Sequence, residues 1–287
     1  MDTVYKYCGE YGLAILSNLE LKVTPPNQFN DPFEFTPKMV CSDMVRYVKS
    51  ERVCKWWYET ARSEKGFSGS FPEFKVKYLE RLGVEKNISQ ITQGMDQVMQ
   101  ITLPLSEKEF LDEVSKRFGV LCMSGRRDEI LMWGHYCDKP LGLVIGFDKS
   151  SAIFQQGKGL RPVTYVQNRV VYDACWEEGA PELLKKYEDQ IIYYKSIAWK
   201  YEDELRQFFP LTSSSLIKKP LKKTLSYFLS LPPEAIVSVT LGPRCSPELD
   251  NKVRKILQKP CFSLVKLDRA VLHKDDFVLE FEAILHR

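Results

Sequence analysis

Histidine is scarce in this chain, and no two of its cysteines are close. Only three histidines occur, at 135, 273 and 286, and eight cysteines stand singly at 8, 41, 54, 122, 137, 175, 245 and 261. Zinc sites draw on closely spaced Cys and His ligands, and no Cys-x-x-Cys pair is present, so no metal centre is expected. The isolated cysteines read instead as reduced core residues of a cytoplasmic protein. No run approaches the roughly 18 apolar residues of a membrane helix. The opening Met1-Asp-Thr-Val-Tyr5 has neither a basic nor an apolar targeting region, which predicts no signal peptide. Gly-x-Gly-x-x-Gly, Walker, His-Glu-x-x-His and Gly-x-Ser-x-Gly signatures are all missing. A net charge of +3 is weak for a dedicated nucleic-acid binder. The short basic run from Lys218 to Lys223 reads as a solvated loop face.

What is present is a globular pattern. The chain has 287 residues, of which 44% are hydrophobic, enough to bury a substantial core. Val4–Tyr7 reads as a strand with Tyr5 and Tyr7 on one side and Lys6 on the other. Leu13–Leu16 suggests a helix, and Leu21–Thr24 a short strand ended by Pro25-Pro26. Residues 38–118 read as mostly helical, with a Ser106-x-x-Glu109 capping box opening a helix that carries Phe110, Leu111, Val114 and Phe118. Strands are predicted at Val120–Ser124, Leu141–Phe147, Val163–Val166, Leu205–Phe209 and Ile236–Leu241. Pro181 is placed to start a helix through Leu184, Tyr187, Ile191 and Tyr194. Ser246-Pro247 opens another helix, and Leu264–Val271 with Phe277–Leu285 reads as a closing hairpin. The expected fold is a single α+β domain over 1–287, a mixed or antiparallel sheet with a helical insertion at 38–118.

Three segments carry chemistry. The first is Phe29-Asn30-Asp31-Pro32-Phe33-Glu34. Asp31 is biased toward an extended conformation by the following proline, and Asn30 is a turn former. The segment is a structured turn or a pocket wall in which Asn30 or Asp31 bonds a ligand. The second is Ile130 to Tyr136, where His135 lies near Trp133 and beside Tyr136, rings that offer stacking faces. Ser124, Arg126 and Arg127 lie just upstream. The third is Lys195 to Arg206. If extended, it projects Glu202, Glu204 and Arg206 to one face and Trp199 and Tyr201 to the other. If helical, residues two apart sit about 200° from each other and the pair separates. Neighbouring carboxylates repel unless a cation offsets them. Glu280 and Glu282 also form a Glu-x-Glu pair, but they alternate with Phe277, Leu279 and Phe281 as the wet face of a strand.

These segments, with Tyr5-Lys6-Tyr7, Leu121–Ser124 and Gly142–Asp148, resemble a bacterial family of unknown function marked by the Phe29–Glu34, Leu131–Tyr136 and Trp199–Arg206 motifs. Their layout is similar to that of ADP-ribosyltransferases: an early strand with a polar ligand, a middle strand with Ser or Tyr, and a late Glu-x-Glu. The resemblance implies NAD as a substrate with no metal, Lys6 or Tyr7 as the first element, Ser124 or Tyr136 as the second, and Glu202 with Glu204 as the third. Lys6 departs from the His or Arg usual on the first strand. By the same resemblance Glu204 stabilises the developing ribosyl cation and Glu202 deprotonates the acceptor. Trp133, Tyr136 or Tyr7 then stacks on a base, and Arg126, Arg127 or Arg206 meets the pyrophosphate. The partner is a nucleotide or dinucleotide and a macromolecular acceptor, in a toxin or phage-defence setting. Two rival readings stay open: a nucleotide-binding sensor without catalysis, and a metal-independent nuclease using His135 with Arg126 and Lys195.

Overall fold

The alternation of Val4, Lys6 and Cys8 against Tyr5 and Tyr7 makes Thr3–Cys8 the first strand, β1. In the computed structural model, which describes residues 2–43, 46, 49–81, 107–139, 141–173, 189–221 and 224–284, β1 lies inside an eight-stranded sheet. The other strands are β4 (Phe118–Ser124), β5 (Leu143–Asp148), β6 (Arg161–Pro162), β10 (Glu204–Pro210), β13 (Ile236–Leu241), β14 (Lys266–Leu272) and β15 (Leu279–Ala283). Their order is β15-β14-β13-β5-β1-β4-β10-β6. Every pairing is antiparallel except β13 with β14. The protein is therefore α+β with a mixed, largely antiparallel sheet.

The described residues divide into two compact units. The first comprises 1–34, 115–168 and 192–287, and the second 35–114 and 169–191. The first unit holds the sheet and, beside it, a three-stranded sheet ordered β11 (Leu216–Leu221), β12 (Thr224–Ser230) and β2 (Glu20–Val23). It also holds a parallel pair, β7 (Thr164–Val166) with β9 (Tyr194–Ser196). Its main core gathers Leu16, Leu21, Leu121, Ile145, Phe147, Phe154, Val239 and Val253. A second cluster packs the helix Ile130–Tyr136, through Met132 and Trp133, against Tyr7, Val144 and Ala270. The helix Pro247–Leu257 starts as predicted, with the Ser246 hydroxyl accepting the Leu249 N–H at 3.2 Å.

In the second unit, the helices Glu51–Lys65 and Phe71–Arg81 carry Tyr58, Phe71, Phe74 and Tyr78 of an aromatic cluster that Phe67, in the connection between them, completes. A short strand, β3 (Lys38–Val40), pairs in parallel with β8 (Val171–Asp173) inside a stretch expected to be helical.

Three further assignments differ from expectation. Phe118 begins β4 rather than extending the preceding helix, because its ring stacks on Phe208 of β10 with centroids 4.4 Å apart. Tyr194 starts β9 instead of closing a helix. Lys218 and Lys219 lie on β11, not a loop, and Lys219 pairs with Glu20 at 2.6 Å. Ser106, Pro181, Leu184, Tyr187, Cys175 and His286 lie outside the described residues.

Candidate active site

β1 and β4 meet only at Tyr5 and Ser124, whereas β4 stays paired with β10 from Ser124–Glu204 to Phe118–Pro210. The sheet opens between β1 and β4 as a fork. Lys6 spans the opening, its ammonium donating to the Cys122 carbonyl at 2.7 Å. A cavity of about 400 Å³ occupies this place, lined among others by Tyr5, Lys6, Asn30, Ser124, His135 and Glu202. That volume is at the small end of the ligand-site range.

The Lys195–Arg206 segment is neither extended nor α-helical throughout. Ile197–Glu202 is a 3₁₀ turn, Asp203 is left-handed at φ 43°, and β10 begins at Glu204. Aspartate tolerates this region better than most residues. The Gly125 N–H fastens the turn by donating to the Asp203 carbonyl at 2.8 Å. A Cβ on Gly125 would come 2.1 Å from the Asp203 carboxylate, so any larger residue there would have to displace that side chain. The left-handed residue brings Glu202 and Glu204 together although only Glu204 is on the strand.

Both glutamates converge on Lys195. Its Nζ lies 2.5 Å from Glu202, 2.9 Å from Glu204 and 3.0 Å from Glu34. Arg206 binds Glu204 through Nε and Nη2, both at 2.9 Å, and through Nη2 also bonds Glu34. Its Nη1 donates to the Ile192 carbonyl at 2.6 Å. All five side chains are buried. Three carboxylates against two cations leave one excess negative charge when all are ionised.

The charges respond accordingly. Burial alone raises a carboxyl, but Arg206 and then Lys195 overcome it at Glu204 and hold its pKa down to about 2. At Glu34 burial prevails over Arg206 and Lys195, helped by the charge on Glu204, and the carboxyl titrates above its ordinary range. Glu34 Oε2 has no hydrogen-bond partner among the described residues. Burial opposes the charge on Lys195, yet Glu204, Glu34 and Glu202 keep it cationic well above neutral pH. At Tyr136, burial and the Glu202 charge push the phenol up, so it keeps its proton and donates a hydrogen bond to Glu202 Oε1 at 2.7 Å.

Tyr5, Lys6, Tyr7, Asn30, Ser124, His135, Tyr136, Glu202 and Glu204 all line the cavity. Asn30 Nδ2 reaches the Tyr136 hydroxyl at 3.4 Å, and the Ser124 hydroxyl lies 2.7 Å from the Glu202 carbonyl. The remaining predicted residues sit elsewhere. Trp133 is 1% exposed, packs edge-on against Tyr7 and donates its indole N–H to the Arg127 carbonyl at 2.8 Å; it is core, with no face for a base. Tyr7 does line the cavity but is itself buried, its hydroxyl donating to the Arg126 carbonyl at 3.0 Å. Arg126 pairs outward with Asp128 at 2.8 Å. Arg127 pairs with Asp268 at 2.7 Å, and Arg206 is wholly buried in the carboxylate network. Asp31 turns back to accept the Phe33 N–H at 2.9 Å. Sequence reasoning missed the roles of Lys195 and Glu34 as partners of the glutamates. Only the residue type of Lys195 and its closeness to Glu202 hinted at the first.

The fold and site thus define an α+β protein with a buried carboxylate–cation network under a fork in its main sheet. A family model described as a protein of unknown function, DUF2971, matches residues 132–207. That stretch includes His135, Tyr136, Lys195, Glu202, Glu204 and Arg206; β1 and Ser124 precede it. No curated protein and no solved structure matches the chain. Among the described residues no cluster of His, Cys, Asp and Glu has metal-site geometry, and no helix is long and apolar enough to cross a membrane.

Proposed function

We propose that the protein is an NAD-using enzyme of ADP-ribosyltransferase type, cleaving the nicotinamide–ribose bond and passing ADP-ribose to an acceptor. The observation that carries this reading is one cross-strand row. Tyr5 on β1 is partnered by Ser124 on β4, and Ser124 by Glu204 on β10, with the cavity beside them. A residue of the early strand, a middle-strand serine and a late-strand glutamate become neighbours; the row itself holds Tyr5, while the resemblance puts Lys6 or Tyr7, which follow it on β1, in the early-strand role. Lys6 takes the early-strand role.

Cleavage transfers the bonding electrons to the pyridinium, so nicotinamide leaves as a neutral base and positive charge builds on the ribose. When all three carboxyls are ionised, the excess negative charge of the buried Glu34, Glu202 and Glu204 cluster favours that charge. Both oxygens of Glu204 are occupied by Arg206 and Lys195. Glu204 therefore holds two cations, whereas Glu202 is held by Lys195 at one oxygen and by the Tyr136 hydroxyl, a neutral partner, at the other, which makes Glu202 the carboxylate assigned to meet substrate. The acceptor forms the new bond at the anomeric carbon and releases its proton to Glu202. Tyr136 and Asn30 offer hydrogen bonds to ribose hydroxyls. The acceptor is a macromolecule under a toxin or phage-defence role. The setting we propose is cytoplasmic, and no disulfide joins the described cysteines to one another.

The saturation of Glu204 also favours a second reading, a nucleotide sensor without turnover. Nicotinamide release separates the two. The wild type, incubated with NAD and candidate acceptors, should release nicotinamide, and Glu202→Gln should lower the rate at least about 100-fold, typical of losing a general base, at a temperature well below the melting point of the variant, which loses a buried partner of Lys195. Equal rates would remove Glu202 from the chemistry. NAD-dependent thermal stabilisation without release would establish the sensor. The nuclease reading has less support, because Arg126 and Lys195 are occupied by Asp128 and the glutamates.

A further inference from the structure

Three rings gather where the cavity-lining His135 meets the 3₁₀ turn. His135 lies 6.3 Å from Trp199 and 6.3 Å from Tyr201, and Trp199 lies 6.0 Å from Tyr201, centroid to centroid. None is stacked face to face on another: the interplanar angles are 60°, 32° and 40°. His135 is exposed, and Trp199 and Tyr201 are partly so. A buried cluster of this kind would be ordinary core packing; here the rings reach solvent. Trp199 is held from one side by Lys195, whose ammonium lies 5.1 Å from its ring centroid, so the platform is anchored on the same cation that carries the glutamates. The neighbouring Leu131 and Ile197 are each 51% exposed, extending an apolar rim.

We infer that His135, Trp199 and Tyr201 form a subsite for a purine base, the adenine of the dinucleotide whose nicotinamide–ribose half occupies the cavity. The inference rests on the NAD reading for the cavity but depends on a different set of atoms. A cavity of about 400 Å³ suits half of a dinucleotide, so the other half must continue outside. His135 belongs to both the cavity lining and the ring cluster, which makes the cluster continuous with the cavity. Aromatic faces bind bases with little regard to sequence, because every base offers a π-face. Trp133, the tryptophan closest to His135 in the chain, is buried with its N–H satisfied, and the stacking role passes to Trp199.

The test is calorimetric titration of the full chain with two probes, ADP-ribose, which carries adenine and no nicotinamide, and nicotinamide mononucleotide, which carries the reverse. ADP-ribose should bind the wild type, and Trp199→Ala should weaken it about tenfold or more, the loss of one base-stacking contact. Trp199→Phe keeps a ring and should recover most of the affinity, which a purely structural role of the indole would not predict. The ratio of the two probes' Kd values should move with the Trp199→Ala substitution. Equal ADP-ribose affinity in wild type and Trp199→Ala, or binding of nicotinamide mononucleotide alone, would overturn the subsite while leaving the NAD reading standing. ADP-ribose binding that depends on Trp199, with no nicotinamide release from NAD, would retain the subsite and sink the enzyme.

Discussion

Replacing Arg206 with methionine should destabilise the protein by about 3–5 kcal/mol, the usual cost of removing one partner from a buried ion pair. The guanidinium is fully buried and makes a two-point contact with Glu204, bonds Glu34 and caps the Ile192 carbonyl. Without it, Lys195 alone faces three carboxylates, and Glu34, which already titrates high, must take up a proton for the fold to persist. The melting temperature should fall by on the order of 10 °C. Arg206→Lys keeps the charge but loses the planar fork and should fall between the two. The double variant Arg206→Met, Glu204→Gln should be more stable than Arg206→Met alone, because the stranded charge is gone. A double variant no better than the single would mean that the carboxylate is not what makes the loss costly. The comparison is made by thermal unfolding at one pH and one protein concentration.

Much of the scaffold was legible because period and punctuation agreed. Val4–Tyr7, Val120–Ser124 and Ile236–Leu241 are apolar or alternating runs bounded by turn residues, and each is a strand. Ser246-Pro247 is a helix start in both. The hairpin of β11 and β12 was not legible: Leu216–Leu221 contains two lysines and a proline, and its pairing is fixed by β12 and β2 rather than by its own pattern. At the site, the grouping of Ser124 or Tyr136 with the two glutamates came from the family resemblance rather than from residue type. The manner was not legible. An extended segment would put Glu202 and Glu204 on one strand face and a helical one would separate them; they meet in neither way, because Asp203 turns the chain in the left-handed region against Gly125. No local pattern announces a left-handed aspartate. Glu34, 172 positions from Arg206, is a long-range partner that a single sequence does not reveal. Trp133 shows the converse error: an aromatic beside a polar pair reads as a stacking face, but β1 supplies Tyr7 to cover it.

Acid should weaken the protein through Glu204 over a window fixed by its two pKa values. In the fold its carboxyl is held at about 2, against an ordinary value of 4.5. A depressed carboxyl contributes stability that is complete above its unfolded pKa and is lost as pH falls toward the folded one. Here that window runs from about 4.5 down to 2, and at 1.36 kcal/mol per pH unit the contribution is roughly 3 kcal/mol. Glu34 acts with the opposite sign. Its pKa is raised by burial, so the fold binds that proton more tightly than the unfolded chain, and stability declines as pH rises from the unfolded value through the folded one. Melting temperatures measured across pH 2–7 should separate the two. Glu204→Gln should be less stable than the wild type near neutrality and approach it in acid, with a flatter limb below about pH 4.5. Glu34→Gln should flatten the limb above that pH. Parallel curves for Glu204→Gln and wild type would show that Arg206 and Lys195 do not hold the Glu204 carboxylate in its charged form, and the charge balance assigned to the site would fall with it.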